Sequence, residues 1–345
     1  LEARHQEGTS ATKEFVMNIE QEYRGQAALI TGGLGLIGSN LAHRLLAIGS
    51  RVTILDNLDP GSGANLFNVE GIRDQIEMVQ SGIDDIAQLT DAIRGKTVLF
   101  NLAGQTSHVG SMQDPIKDLN VNAAYQVGLL ETCRLHNPDI RIVFAGTRQV
   151  YGRPQYLPVD ESHLLTPIDN NGVSKRAGEM YHIVYNRVHG MRTCVLRMTN
   201  VYGPRMRIKD DALTFLGWWV RQLLEGSPIQ IYGDGSQIRD LNYVDDVVEA
   251  LLLCAGDSAA SGKIYNLGGM PVHLLDLARQ MIESFGQGSY ELVPFPETRK
   301  RIDIGDYYGD YSLIRAEVGW EPRVSLHEGI ELMMGYFSQH KEHYL

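Results

Sequence analysis

The decapeptide TGGLGLIGSN (31–40) joins an apolar run, AALIT (27–31), to a segment of helical spacing, LIGSNLAHRLLAIG (36–49), that closes on Gly49. Glycine at 32, 35 and 38 allows a tight turn after a strand, close approach of backbone N–H groups to a ligand, and near packing of the next helix. The positive end of that helix favours an anion, so the loop suits a pyrophosphate. The next apolar run, RVTILD (51–56), ends on Asp56. A carboxylate at that position accepts hydrogen bonds from adenosine ribose hydroxyls and repels a 2′-phosphate, which favours NAD over NADP. Arg51, at the other end of the run, does not reverse that preference.

Further short apolar runs follow at IEMVQ (76–80), TVLFNLA (97–103), IRIVFAG (140–146) and RTCVLRM (192–198), separated by helical patterns, notably 115–136 and 172–188. Strands alternating with helices predict an α/β fold with a doubly wound parallel sheet covered on both faces. After Pro204 the rhythm changes to a helix around Trp218 and Trp219, a short strand IQIYG (229–233) and helices near 245–255, 274–285 and 325–338. We therefore expect a polar leader over 1–24, a cofactor-binding domain over 25–203 that includes the catalytic helix, and a smaller substrate-binding lobe over 204–345, some segments of which return to the first domain. The start, LEARHQEGTSATKEF, lacks the apolar stretch of a signal peptide and reads as a mobile leader or expression remnant.

Composition narrows the function. A formal charge of −11 and 43% hydrophobic residues argue against a general nucleic-acid binder and against disorder. Cys133, Cys194 and Cys254 show no metal-ligand spacing and read as reduced, buried thiols of a cytosolic protein. No metal site is expected, and no apolar run reaches the roughly 20 residues that span a bilayer.

The ordered motifs TGGLGLIG, LDNL (55–58), NLAGQ (101–105), NVNAAYQVGLLETC (120–133), AGTRQVYG (145–152), RMTNVYGP (197–204), YGDGSQIRDLNYVDDVVEA (232–250), YNLGG (265–269) and VGWEP (318–322) together resemble the extended short-chain dehydrogenase/reductase family, in its NAD-dependent nucleotide-sugar epimerase and dehydratase branch. The resemblance covers about residues 25 to 338. It implies a Rossmann sheet, a homodimer formed through helices near 115–135 and 172–188, bound NAD and a nucleotide-diphosphate sugar substrate. Cofactor contacts fall on Gly32, Gly35, Leu36, Ile37, Gly38, Asp56, Asn57, Ile83, Leu102, Ala103 and Lys175. Substrate contacts fall on Gln105, Arg148, Gln149, Asn200, Arg239 and a late arginine, Arg299 or Arg301, of which Arg301 is the choice made here. Asn200 and Arg239 would serve the diphosphate, a surface salt bridge between Arg239 and Asp240 being the structural alternative.

Three departures from the family pattern bear on chemistry. Gly82 stands where an Asp often helps hold the adenine. Arg148 and Gln149 replace the Asp-Glu pair of the hexose dehydratases, and the Glu typical of uronate decarboxylases is also missing, so neither of those reactions is expected. Arg148 could instead meet an anionic or highly hydroxylated sugar substituent, or form an outward salt bridge. Most consequential is DNNGVSKRAGE (169–179): the family's acid-base Tyr, four residues before Lys175, is Asn171.

In the family, Ser or Thr, Tyr and Lys cooperate. Thr147 and Lys175 match the first and last of these, and four-residue spacing keeps Asn171 on the same helical face as Lys175. An amide cannot carry the proton at neutral pH. Three readings stay open: another base serves, with His108, Tyr151 or Lys175 as candidates; the Asn was introduced to trap a complex; or the protein binds a sugar nucleotide without converting it. The best-supported expectation is an NAD-dependent epimerase acting at C4 through a transient 4-keto sugar. A net oxidoreductase is a further option.

Overall fold

The computed structural model describes residues 17–59 and 61–345. Twelve strands run β1 (Ala27–Thr31), β2 (Arg51–Asp56), β3 (Ile76–Gln80), β4 (Val98–Asn101), β5 (Arg141–Thr147), β6 (Thr193–Met198), β7 (Asn200–Tyr202), β8 (Ile229–Tyr232), β9 (Ile238–Tyr243), β10 (Ile264–Asn266), β11 (Met270–His273) and β12 (Tyr290–Val293). Seven of them form one parallel sheet in the order β10-β6-β5-β4-β1-β2-β3. The order reverses between β1 and β4, and ligands of such sheets bind at the carboxyl ends beside that switch point. The loops after β1, β2, β4 and β5 all open there.

Buried apolar residues cover both faces of the sheet. On one face helices Leu36–Ile48 and Val244–Gly256 supply Leu41, Leu45, Val248 and Leu252 to a core with Ile30, Ile54 and Phe100. On the other, Leu89, Leu129, Leu130 and Tyr185 come from helices Ile86–Ile93, Tyr125–His136 and Asn170–His189. The first of these helices stops where Gly49 takes φ 93, a left-handed conformation that costs glycine little. A separate core of Trp219, Ile229, Ile231, Met281, Met333 and Phe337 binds the later elements together, with a three-stranded sheet β11-β9-β7 and a pair β12-β8.

The leader expected over 1–24 needs correction at its end, while residues 1–16 lie outside the described residues. Ile19–Tyr23 is a helix capped by Asn18, and its Tyr23 is fully buried with its hydroxyl donating to Leu252 O at 2.7 Å. Ile19 and Tyr23, four apart, share the face that packs on helix Val244–Gly256. The helix expected over 115–136 is also broken. Pro115–Leu119 passes into a π-helical turn, Asn120–Ala124, before Tyr125–His136 resumes. Among the described residues no helix is long and apolar enough to cross a membrane.

Candidate active site

One cavity of about 740 Å³ runs along the carboxyl edge of the seven-stranded sheet and under the later elements. Its lining includes Gly32, Gly35, Leu36, Ile37, Gly38, Asp56, Asn57, Ile83, Leu102 and Ala103. A Cβ on Gly38 would meet Gly32 O at 2.5 Å and Gly33 Cα at 2.6 Å, and one on Gly32, where φ is +67, would touch the Ala103 backbone at 3.0 Å. This is a cradle that only glycine permits. Gly35, the N-cap of helix Leu36–Ile48, makes no side-chain cap bond, so N–H groups at the helix start remain for an anion.

Asp56 is buried beneath the loop, its Oδ2 accepting from Leu34 N at 3.0 Å and its Oδ1 from Leu58 N at 2.9 Å; burial pushes its pKa up against these bonds. The carboxylate therefore shapes the loop as well as lining the cavity. At residue 82, the space a Cβ would need is taken by Asp84 Oδ1, and Asp84 lines the cavity. A carboxylate enters this corner from two residues further along. Leu102 and Ala103 are held by their N–H groups on Thr31 Oγ1. The residues present fit NAD in loop space, free N–H donors and the acid at Asp56.

Thr147, Asn171, Lys175 and His108 line the same cavity, and a Cβ on Gly104, next to Ala103, would meet Lys175 Nζ at 2.6 Å. Helix Asn170–His189 positions the middle pair; Asp169 caps it by accepting from Gly172 N at 2.7 Å, and Gly190 closes it at φ 70. Lys175 is only 4% exposed, donates from Nζ to Ala145 O at 3.0 Å, and is pushed down to about 8 by burial, with Asp118 opposing. Asn171 does line the cavity, but its Nδ2 is tied back to Gln105 O at 2.7 Å and Asp118 Oδ1 at 3.2 Å. Asp118 also accepts from Asn122 Nδ2 at 3.0 Å, and its Oδ2 is buried without a hydrogen bond.

His108 is half-exposed, at 34% of its side chain, and its Nδ1 is 2.9 Å from the buried Asp169 Oδ2. Nδ1 is buried, and the approach misses hydrogen-bond alignment, leaving a close contact with the carboxylate and no aligned hydrogen bond. The same Oδ2 accepts from Gln149 Nε2 at 2.7 Å, which holds Gln149 away from free contact with a ligand. Tyr151 is not at the cavity: it is fully buried, bonds Asn266 and Arg197, and is pushed up to about 12 by burial.

Gln105, Arg148, Asn200 and Arg239 also line the wall, as do the aromatic residues Phe215, Trp218, Tyr232 and Phe295. Arg239 does not pair with Asp240. Its guanidinium is held by Asp303 at 3.2 Å and by Gly305 O at 2.6 Å. Of the late arginines it is Arg299 that lines the cavity, joined to Asp211 at 2.6 Å. Arg301 is exposed at the end of helix Glu297–Lys300 and does not line it, so the choice of Arg301 is corrected to Arg299. The two are separated by one residue, and the short helix turns them to different sides.

Sequence reasoning missed Asp169 and Asp118. The first carried a visible signal, an Asp directly before a helix. The second had none, because a carboxylate within an amphipathic pattern reads as solvated.

Residues 28–268 match the model of the NAD dependent epimerase/dehydratase family. The chain belongs to that family. Its relatives include the UDP-glucose 4-epimerase of Mycolicibacterium smegmatis, 33% identical over 90% of this chain and 97% of the relative. The CDP-paratose 2-epimerase of Salmonella typhi is 28% identical over 90% of this chain and 98% of the relative. Among solved structures, the UDP-glucose 4-epimerase of Thermotoga maritima with UDP-glucose superposes with a TM-score of 0.84 at 28% identity, over 92% of this chain and 100% of the other. An enzyme of the NAD-dependent epimerase/dehydratase family is thus the frame for the cavity, and NAD is the family's cofactor.

Proposed function

We propose that this protein is an NAD-dependent epimerase of a nucleotide-diphosphate sugar, acting at C4 through a transient 4-keto sugar, with His108 in place of the usual Tyr. The observation that carries it is that Thr147, Lys175 and His108, whose Nδ1 lies beside Asp169, line the same cavity as the glycine cradle. The chemistry that bound NAD would supply is a reversible hydride acceptor for the sugar carbon.

The chain's residues then have these tasks. Thr147 would hydrogen-bond the reacting oxygen, and Lys175 would hold the nicotinamide ribose. Asp169 beside Nδ1 favours the ring tautomer with its hydrogen there, which leaves Nε2 as the acceptor for the sugar hydroxyl proton. As the C4–H bond breaks, that proton passes to Nε2 and the oxygen becomes a ketone. After the sugar turns, Nε2 returns the proton to the re-formed hydroxyl. Asn171, anchored on Gln105 and Asp118, can donate and accept hydrogen bonds but cannot carry the proton. Lys175 is a second candidate base, because its pKa of about 8 lies in the range useful for proton transfer.

Incubation with NAD and uridine or thymidine diphosphate sugars in D2O, read by NMR, tests the proposal. A C4 epimer without deuterium at carbon supports it. Tight binding of the sugars with no product would replace it with a binding protein that has lost its base. Loss of turnover in His108→Gln at retained affinity supports His108, whereas full activity in that variant moves the role to Lys175. We also propose a homodimer through the exposed apolar residues Ile116, Leu119, Val173, Val184 and Val188 on helices Pro115–Leu119 and Asn170–His189, to be checked by light scattering.

A further inference from the structure

The cations around the cavity differ in how their charge is met. Lys117 pairs with Asp59, Arg207 with Asp210, Arg239 with Asp303 and Arg299 with Asp211. Arg148 has no ion pair among the described residues. Its one hydrogen bond is a long one, Nη2 to Asn200 Oδ1 at 3.3 Å, and its Nε is buried without a partner. The guanidinium lies 5.3 Å from the Tyr307 ring centroid, which fixes its plane. Nearby Asp240 does not supply the missing bonds, since its oxygens accept from the Thr199 hydroxyl and from Gly309 N. Arg239 adds repulsion, and burial together with that neighbour holds the Arg148 pKa below its ordinary value.

A guanidinium so enclosed, with unused donors in a fixed fork, is costly until an anion meets it. Arg148 directly follows Thr147 and lines the same cavity. Thr147 is the residue that would meet the reacting hydroxyl. On a hexuronic acid the C4 hydroxyl and the carboxylate on C5 are neighbouring substituents, matched by neighbouring residues of the chain. A carboxylate also has the planar, two-oxygen geometry that a guanidinium fork takes best.

We propose that Arg148 binds a carboxylate on the sugar, so that the substrate is a nucleotide-linked uronic acid. The inference rests on the nucleotide-sugar reading above. Calorimetry on the NAD-loaded protein tests it with UDP, UDP-glucose and UDP-glucuronate, and with the thymidine counterparts. The uronate is expected to bind about 10- to 100-fold more tightly than the hexose. Arg148→Met is expected to erase that preference while leaving affinity for the bare diphosphate unchanged, which also shows that the variant is folded. Arg148→Lys keeps charge without the fork and should retain part of the preference. Equal binding of uronate and hexose by the unaltered protein, or a preference that survives in Arg148→Met, overturns the proposal. An equal loss for all three ligands, bare diphosphate included, would assign Arg148 to phosphate and overturn it too. Binding of no diphosphate at all would instead sink the nucleotide-sugar reading on which it rests.

Discussion

Lys175 permits a sharp test of the candidate site, through stability rather than turnover. Burial lowers its pKa from 10.5 to about 8, Asp118 offsetting only part of the effect. The gap between these values corresponds to roughly 3 kcal/mol for keeping the ammonium inside the fold. The sign follows from proton counting. Below about pH 8 the lysine is charged in both folded and unfolded chains, and the whole cost is present. As pH rises from about 8 towards 10.5 the folded chain has shed the proton while the unfolded chain still holds it, so stability rises; above that range the cost is gone. In Lys175→Met this pH-dependent component is absent. Urea unfolding of both cofactor-free proteins should therefore show the unaltered chain gaining about 2 kcal/mol on the variant between about pH 7.5 and about pH 9.5. Parallel pH profiles would refute the reasoning, and would mean that the ammonium is solvated or paired more fully than its surroundings imply.

Other outcomes follow from the same geometry. Gly38→Ala should weaken NADH binding, followed by fluorescence, by at least about tenfold, because its Cβ meets backbone atoms at 2.5 and 2.6 Å; Gly71→Ala, with nothing within 4 Å, is the control that should leave binding unchanged. Asn171→Ala removes a donor from the buried Asp118 and should cost about 1–3 kcal/mol in thermal or urea unfolding. Glu179→Gln breaks the buried pair with Arg197, held through both guanidinium Nε and Nη2 at 2.8 and 2.7 Å, and should cost about 3–5 kcal/mol by the same measurement.

The first three strands were legible because short segments rich in Val, Ile and Leu stand between turn residues: β1, β2 and β3 have the bounds the segments suggested, although edge strand β3 carries Glu77 and Gln80 and has no fully buried residue. β4, β5, β6 and β8 also fall on segments read as strands, whereas β9 and β10 were hidden for physical reasons. In β9, IRDLNY, buried Arg239, Asp240 and Asn242 interrupt any apolar pattern, and loops from elsewhere meet the Arg239 guanidinium, an Asp240 carboxylate oxygen and the Asn242 amide nitrogen. β10 has only three residues, Ile264–Asn266, too few to show a period. The site was legible where motifs fix backbone, as in the glycine loop and the Asp56 strand end. It was obscure where a distant carboxylate completes a side chain's surroundings, as Asp169 does for His108 and Asp303 for Arg239.

The last strand of the large sheet has a consequence for synthesis. β10 pairs with β6, yet β7, β8 and β9 and the helix Val244–Gly256 all lie between them in the chain. Until residue 266 has left the ribosome the outer edge of β6 has no neighbour, and until helix Val244–Gly256 has emerged the sheet lacks Val248 and Leu252 from its cover. A nascent chain at this stage presents an unpaired edge beside uncovered apolar surface, the combination most open to mispairing with other chains. For the same reason a fragment ending near Pro204 is not a self-sufficient cofactor domain: the later half of the polypeptide supplies the final plank of the platform on which it stands.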